Sequence, residues 1–278
     1  MSKNLISNPE ERKAKSYKQD QEVLIWLMRH RYSDAQVIQT LLHYKTKWSA
    51  TRKMQRLLSQ GLVKQERIQV PQLGGVDIWG ISAGGLMAID DRLREEVRSY
   101  KHATEYLSYE KGQASAETFV HNMMVQMVAL STRWEDGSIS WITQREMPYQ
   151  NARKSDPRKW ATYPDGYYYF LSTNNKTGEH KSCSYAMEIE RTAKTSKRYR
   201  DIVKKHFINI EKGRYTRVKY IANNDVAKDN LKRLIHKAIE AIDYSLLLPD
   251  TDEYLPLHQQ RHLFLFESYQ DLINGDDP

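Results

Sequence analysis

Apolar positions recur at helical spacing three times before residue 60. Val23, Leu24, Leu27 and Met28 make one stripe within 21–31. Val37, Ile38, Leu41 and Leu42 repeat it after Ser33-Asp34, and Ala50, Met54, Leu57 and Leu58 repeat it after Ser49. Ser33-Asp34 and Ser49 are helix-capping types, and Gly61 is placed to stop the third helix. The period then changes to two: 62–70 and 76–82 alternate as strands around the turn Pro71-Gln-Leu-Gly-Gly75, and a helical stretch starts at Ser82. Residues 92–112 are charged and read as a connecting helix or linker. From Ala116 an apolar helix follows, with Phe119, Val120, Met123, Met124, Met127 and Val128 on its stripe. Strands are expected over 138–147, 162–173 and 184–192, a helix from a Ser196 cap to Gly213, a strand over 215–223, a helix over 229–244 and a short strand over 263–268. Residues 1–19 are polar and read as a disordered arm.

Composition adds a partner class. The 278 residues carry a net charge of +8, a pI near 9.3 and a mean hydropathy of -0.76. Lys and Arg concentrate in 45–67 and 191–237, whereas 249–278 has Arg261 alone against several acids. Such placement suggests a polyanion. No run of eighteen apolar residues occurs, so neither a membrane span nor a secretory signal is expected. The single cysteine, Cys183, fits a reducing cytoplasm and reads as packing rather than as a nucleophile.

Three short helices followed by a β-hairpin is the order of a winged helix-turn-helix. The polar face of its third helix shows Arg52, Lys53, Gln55, Arg56 and Ser59, with Lys45 and Lys47 just before. These are side chains that contact phosphates and guanine edges from the major groove. The competing readings are a solvated helix face and a winged helix that binds protein.

The second half holds carboxylates at informative places. Pro164-Asp165 opens one strand, and Glu188 and Glu190 lie two apart on the next, so both point to one sheet face. Lys194 shares their parity if the strand runs that far. Acids facing each other from neighbouring strands can hold a hard divalent cation. The competing reading is a solvent-facing strand edge that pairs with Arg191 or Lys194. Glu146 ends the preceding strand and is a further candidate. His121 and His206 are isolated in the sequence and read as helix-face residues, not ligands. Tyr167, Tyr168 and Tyr169 admit a tyrosine nucleophile or, more simply, the interior of a sheet.

The αβββαβ order with PD on the second strand and E-x-E on the third resembles the PD-(D/E)XK restriction-endonuclease superfamily. The longer string PDGYYYF…YAMEIERTAKTSKRY, after the winged-helix string WLMRHRYSDAQV, is similar to the replication-relaxation family with its MobC-type plasmid relaxases. The resemblance implies an α+β chain, a winged helix followed by a restriction-endonuclease-like core. Its divisions would be a 1–19 arm, a 20–91 DNA-binding domain, a 92–115 linker helix and a 116–278 nuclease-like domain. It implies metal-dependent nicking of double-stranded DNA at a transfer origin, with an accessory mobilisation or coupling protein as a further partner. Asp165 and Glu188 would hold Mg2+ or Mn2+, with Glu190 a further ligand or a base and Lys194 as a catalytic cation. Lys47, Arg52, Lys53, Gln55 and Arg56 would bind DNA. Glu190 stands where the superfamily has its lysine, so Lys194 or Lys197 would supply that charge. The alternatives are a non-catalytic replication or transcription regulator and an ordinary restriction or repair nuclease.

Overall fold

The stripe of 21–31 is the second half of a longer helix, α1 (Pro9–His30). In this computed structural model, residues 8–71, 73–89, 108–136, 140–147, 159–173, 180–242 and 257–274 are described. Residues 9–19, read from the sequence as a disordered arm, are therefore helical. The physical reason lies in the helix ends. Asn8 accepts a hydrogen bond from the Glu10 amide, Pro9 occupies the first turn, Glu10 and Glu11 face the positive end of the dipole, and Arg29 and His30 face the negative end. An apolar stripe is not needed to start a helix with such ends.

The chain divides into two units, Met1–Gln126 and Met127–Pro278. In the first, α1 is followed by β1 (Tyr32–Asp34), α2 (Ala35–Leu41) and α3 (Lys47–Ser59). Then come β2 (Val63–Val70), β3 (Gly74–Ile81) and α4 (Ala83–Ala88). Asp34 caps α2 as expected, but Thr46 rather than Ser49 caps α3 by accepting from the Ser49 amide. Gly61 takes a positive φ of 70°, and the Leu62 amide returns to the Leu57 carbonyl at 3.0 Å, which closes α3 and releases β2. The three strands pair antiparallel in the order β1-β3-β2. Val23, Leu24, Leu27, Val37, Ile38, Ala50, Met54 and Leu57 are buried, so the sequence stripes form this core.

Two contacts extend the first unit past residue 91. Tyr109 lies where a Cβ on Gly80 would be only 2.2 Å from it, and its hydroxyl donates to Glu66. Gln126 is buried on α5 (Ala116–Asp136): its carbonyl accepts from Trp26 Nε1 at 2.9 Å and Ser33 Oγ at 2.5 Å, while its amide donates to the Tyr32 carbonyl at 2.8 Å. Residues 108–126 thus belong with the first unit, where the sequence placed a linker and the start of the second domain. Most of that linker, 90–107, lies outside the described residues.

The second unit is built on one sheet, β4 (Ser140–Thr143), β5 (Gly166–Thr173), β6 (His180–Glu190), β7 (Arg217–Ala222) and β8 (Phe264–Ser268), in that spatial order. The first three strands run antiparallel and the last two join in parallel. Helix α6 (Ser196–Glu211) connects β6 to β7 and is capped by Thr195, one residue before the expected Ser196. Helix α7 (Asp225–Glu240) follows β7, with α8 (Leu257–His262) before β8 and α9 (Tyr269–Asn274) after it. Tyr199, Val203 and Phe207 of α6 and Leu231, Ile235 and Ile239 of α7 pack on Ala186, Val218, Tyr220 and Phe264 of the sheet. At about 25 cal/mol per Å² of apolar surface removed from water, such burial is the main favourable term holding this layer to the sheet. Gly166 has a local reason: a Cβ there would lie 1.9 Å from the Trp141 ring. The architecture is α+β.

Candidate functional site

The β5–β6 register pairs Gly166 with Met187, so one step back along the same antiparallel ladder sets Asp165 opposite Glu188. Asp165 Oδ2 accepts the Ile189 amide at 2.8 Å, which fixes the aspartate at the strand mouth. Next along the row, Glu188 pairs with Tyr220 on β7. Sequence parity and structure agree that Asp165, Glu188 and Glu190 share one face.

His206 completes this group, although it stood alone in the sequence. It is fully buried on α6, with Nε2 3.2 Å from Glu188 Oε1 and Nδ1 2.6 Å from the Tyr215 hydroxyl. Asn209, also buried, donates to the Tyr215 hydroxyl at 3.1 Å and to the Thr162 carbonyl at 3.0 Å, and accepts from the Ala161 amide at 2.7 Å. Because Tyr215 accepts from Asn209, its own proton is free for His206 Nδ1. With Tyr215 donating to Nδ1, the neutral ring would carry its proton on Nε2, on the Glu188 side; in the other tautomer Nδ1 donates to Tyr215. The Nε2 approach is off the line of a good hydrogen bond, and Nε2 and the Tyr220 hydroxyl have no aligned partner among the described residues. A chain of contacts therefore runs from the segment before Asp165 through α6 to Glu188. The sequence signal was present: Tyr199, Val203, His206 and Ile210 fall on one helical stripe, which makes His206 an inward residue.

The electrostatics of this corner are unbalanced. Burial raises the Glu188 carboxyl above its ordinary range, with His206 opposing the rise and Asp165 adding to it. Two neighbouring acids in a partly dry corner, with the Glu188 side chain still 19% exposed, favour a cation. Two carboxylates with room left for water and phosphate oxygens are the donor set Mg2+ commonly takes. Glu190 is engaged differently. It is buried, and its Oε2 receives the Lys194 ammonium, although β6 ends at Glu190 and Lys194 lies beyond the strand. The Lys194 amide donates to the Tyr199 hydroxyl at 3.1 Å. Burial holds that phenol up at about 12, the Lys194 amide opposing and Glu190 reinforcing the shift. Among the described residues no group of three or more His, Cys, Asp or Glu side chains is arranged to hold a metal ion, so the three-carboxylate set is not assembled.

The remaining candidates are placed as follows. Glu146 accepts the Thr143 amide at 2.6 Å and so closes the turn after β4. Tyr168 is buried between Trp141 and Tyr185, at ring separations of 6.2 Å and 5.2 Å, while Tyr169 is exposed. Lys197 is exposed, and Cys183 is a partly buried free thiol on β6.

On α3, Lys47, Arg52, Gln55 and Arg56 are exposed, as the polar face required. Lys53 is not. Its ammonium lies 2.6 Å from Asp20 Oδ1 and donates to the Ser16 carbonyl at 3.2 Å. Burial pulls its pKa down, against the pull of Asp20. The reason is position: Lys53 sits beside Ala50, Met54 and Leu57 on the inner side of the helix. Arg56 also grips Asp20, at 2.6 Å to Oδ2, and Gln55 donates to Gln65 of β2 at 3.0 Å. Trp48 was not anticipated. It is 67% exposed, and the Arg52 guanidinium sits 5.3 Å from its ring. The sequence signal was a tryptophan off the apolar stripe of α3.

No described helix is long and apolar enough to cross a membrane. Comparison of the chain with family models, with curated proteins and with solved structures finds no match.

Proposed function

We propose that this chain binds double-stranded DNA through a winged helix in its first unit and nicks it with a metal-dependent, restriction-endonuclease-like core in its second. The reading extends to a relaxase acting at the transfer origin of a mobilisable plasmid in the bacterial cytoplasm, where an accessory mobilisation or coupling protein would assist. The observation that carries it is the placement of Asp165 opposite Glu188 at the mouth of two antiparallel strands. Support also comes from the order helix, three antiparallel strands, helix, parallel strand. In the first unit, support comes from the exposed Lys47, Trp48, Arg52 and Gln55 surface of α3 beside the β2–β3 hairpin.

Asp165 and Glu188 would hold Mg2+ or Mn2+. The chemistry such an ion supplies when bound is polarisation of the scissile phosphate and acidification of water. The chain's own residues do the positioning. His206 braces Glu188, Asn209 fixes the segment leading to Asp165, and Glu190 anchors the Lys194 ammonium beside them, where it can meet phosphate charge. In this arrangement Glu190 serves the lysine instead of acting as a third ligand. Tyr167 and Tyr168 of β5 serve packing, Tyr169 lies exposed and takes no part, and water breaks the phosphodiester.

The second reading is a DNA-binding regulator without cleavage. It is favoured by the commitment of Glu190 to Lys194, which leaves two carboxylates for a cation. A supercoiled plasmid carrying a cognate transfer origin, incubated with protein and Mg2+ or Mn2+, separates the two. The relaxase reading expects nicked circles that disappear with EDTA and with Asp165→Ala, whereas duplex binding stays within about twofold. Absence of nicking by protein that binds the origin would establish the regulator. Equal nicking of a plasmid lacking the origin would make the chain an ordinary nuclease.

A further inference from the structure

The row that holds Asp165, Glu188 and Tyr220 continues to Phe266, because β7 pairs Tyr220 with Phe266 on the edge strand β8. Two strand spacings, about 10 Å, separate the Glu188 and Phe266 backbones. Phe266 stacks on Tyr220 at 5.9 Å, and the His236 ring stands edge-on to it at 5.8 Å. Here α7 and β8 border a cleft of about 450 Å³, lined by Lys228, Lys232, His236, Arg261, Phe264 and Phe266 among others. A shallower groove of about 590 Å³ shares Lys232, His236 and Arg261 and continues past Arg233 and Lys237.

The charges of this cleft are not evenly matched. Lys228 pairs with Asp225 and lies 3.9 Å from Asp271, Arg261 pairs with Glu240, and Asp229 is an acid on the rim. Lys232 and Lys237 have no ion-pair partner among the described residues, and Arg233 bonds only to the neutral Asn230. Lys228, Lys232 and His236 are spaced four residues apart on α7, so they form a row along the cleft with about one helical pitch, 5.4 Å, between turns. Burial and the cations Arg261 and Lys232 together push the His236 imidazole below its ordinary range, as a local excess of positive charge would.

We infer that this α7–β8 cleft binds the phosphate backbone of a single nucleic-acid strand, with Phe266 and His236 as the aromatic wall. A row of cations beside half-buried aromatic side chains is the usual combination for strands held without base readout. The inference stands on the second unit alone and is independent of the α3 surface. If the cleavage reading holds as well, the cleft would keep one strand close to Asp165 and Glu188.

The test uses the full chain and a labelled oligothymidylate, which has no duplex for a winged helix to read. Arg52→Ala is introduced throughout so that α3 contributes less to the background. In this setting Lys232→Ala with Arg233→Ala is expected to weaken binding about tenfold. The slope of log affinity against log salt should fall by about 1.4, two contacts at about 0.7 each for single strands. Both side chains are exposed, so the thermal midpoint should not move. A Lys232→Arg, Arg233→Lys variant, which keeps the charges, should retain binding. Unchanged affinity and salt slope in the alanine variant would overturn the proposal. So would saturable binding of inorganic phosphate at the cleft that oligothymidylate fails to displace, since the site would then take a small anion instead of a strand. Absence of plasmid nicking by the parent protein, with oligothymidylate binding still weakened in the alanine variant, would count against the cleavage reading and leave this one standing.

Discussion

The two units carry opposite surpluses of charge around their acids. In the first, a single carboxylate, Asp20, faces two cations, Lys53 and Arg56, with Arg52 and Lys47 exposed nearby on α3. In the second, two carboxylates, Asp165 and Glu188, share a corner with one imidazole and with Lys194 nearby, and burial makes the Glu188 charge costly. A positive surplus beside an exposed tryptophan suits a polyanion, whereas a negative surplus in a partly buried corner suits a small hard cation. The difference shows that burial and stoichiometry, not residue type alone, decide what each cluster can hold.

The contrast can be broken most severely at Asp20. Asp20→Ala strips Lys53 of its counter-charge inside the fold, and removal of one partner of a buried pair costs about 3–5 kcal/mol. Urea unfolding should show this loss. A change below about 1 kcal/mol would mean that Lys53 swings out to solvent and that the first unit does not depend on the pair. Next in size is the brace on Glu188. His206→Gln should lower nicking by about 10–100-fold, as outer partners of metal ligands do, and leave duplex binding unchanged. Equal losses in nicking and binding would point to a folding defect instead.

Smaller effects sharpen the first unit. Arg52→Ala should weaken duplex binding by about 1–2 kcal/mol, the size of one lost contact. Trp48→Ala should weaken it comparably while leaving stability within about 0.5 kcal/mol, since the ring is mostly exposed. Gel-shift titration beside thermal melting reads both; unchanged binding in both variants would remove α3 from the interface. The smallest effect is expected at β5. Tyr167→Phe, Tyr168→Phe and Tyr169→Phe should each retain nicking and leave no protein-linked strand on denaturing gels. A Phe variant that binds but does not nick, with a trapped adduct in the parent protein, would install a tyrosine nucleophile.

Much of this was legible in the chain. Helical stripes at 23–28, 37–42 and 50–58 became the first core, and the two-residue period of β5 and β6 correctly set Glu188 and Glu190 on one face. The start of α1 was hidden because its first eleven residues are held by end effects and solvated side chains, which leave no apolar periodicity. Lys53 was misjudged because a long stem lets a cation sit on the inner face when an acid is waiting, and Asp20 is thirty-three positions away in sequence. Glu190 was read as a possible ligand because parity fixes its face, but parity cannot show that the loop after β6 returns Lys194 onto it. The sequence reading places His206 merely on a helix face and singles out neither Asn209 nor Gln126, for one shared reason. A polar residue on an apolar stripe marks a buried hydrogen-bonding role, but its partners come from distant segments that periodicity cannot name.

The proposed function depends most on Asp165 and Glu188 together forming a cation site. Titration of Mn2+ into the full chain, followed by the loss of the free-ion electron paramagnetic resonance signal, tests it without relying on cleavage. One saturable site is expected in the parent protein, competed by Mg2+, weakened at least about tenfold by Asp165→Asn and by Glu188→Gln separately, and unaffected by Arg52→Ala. Mn2+ binding that is the same in the parent and both carboxamide variants would contradict it.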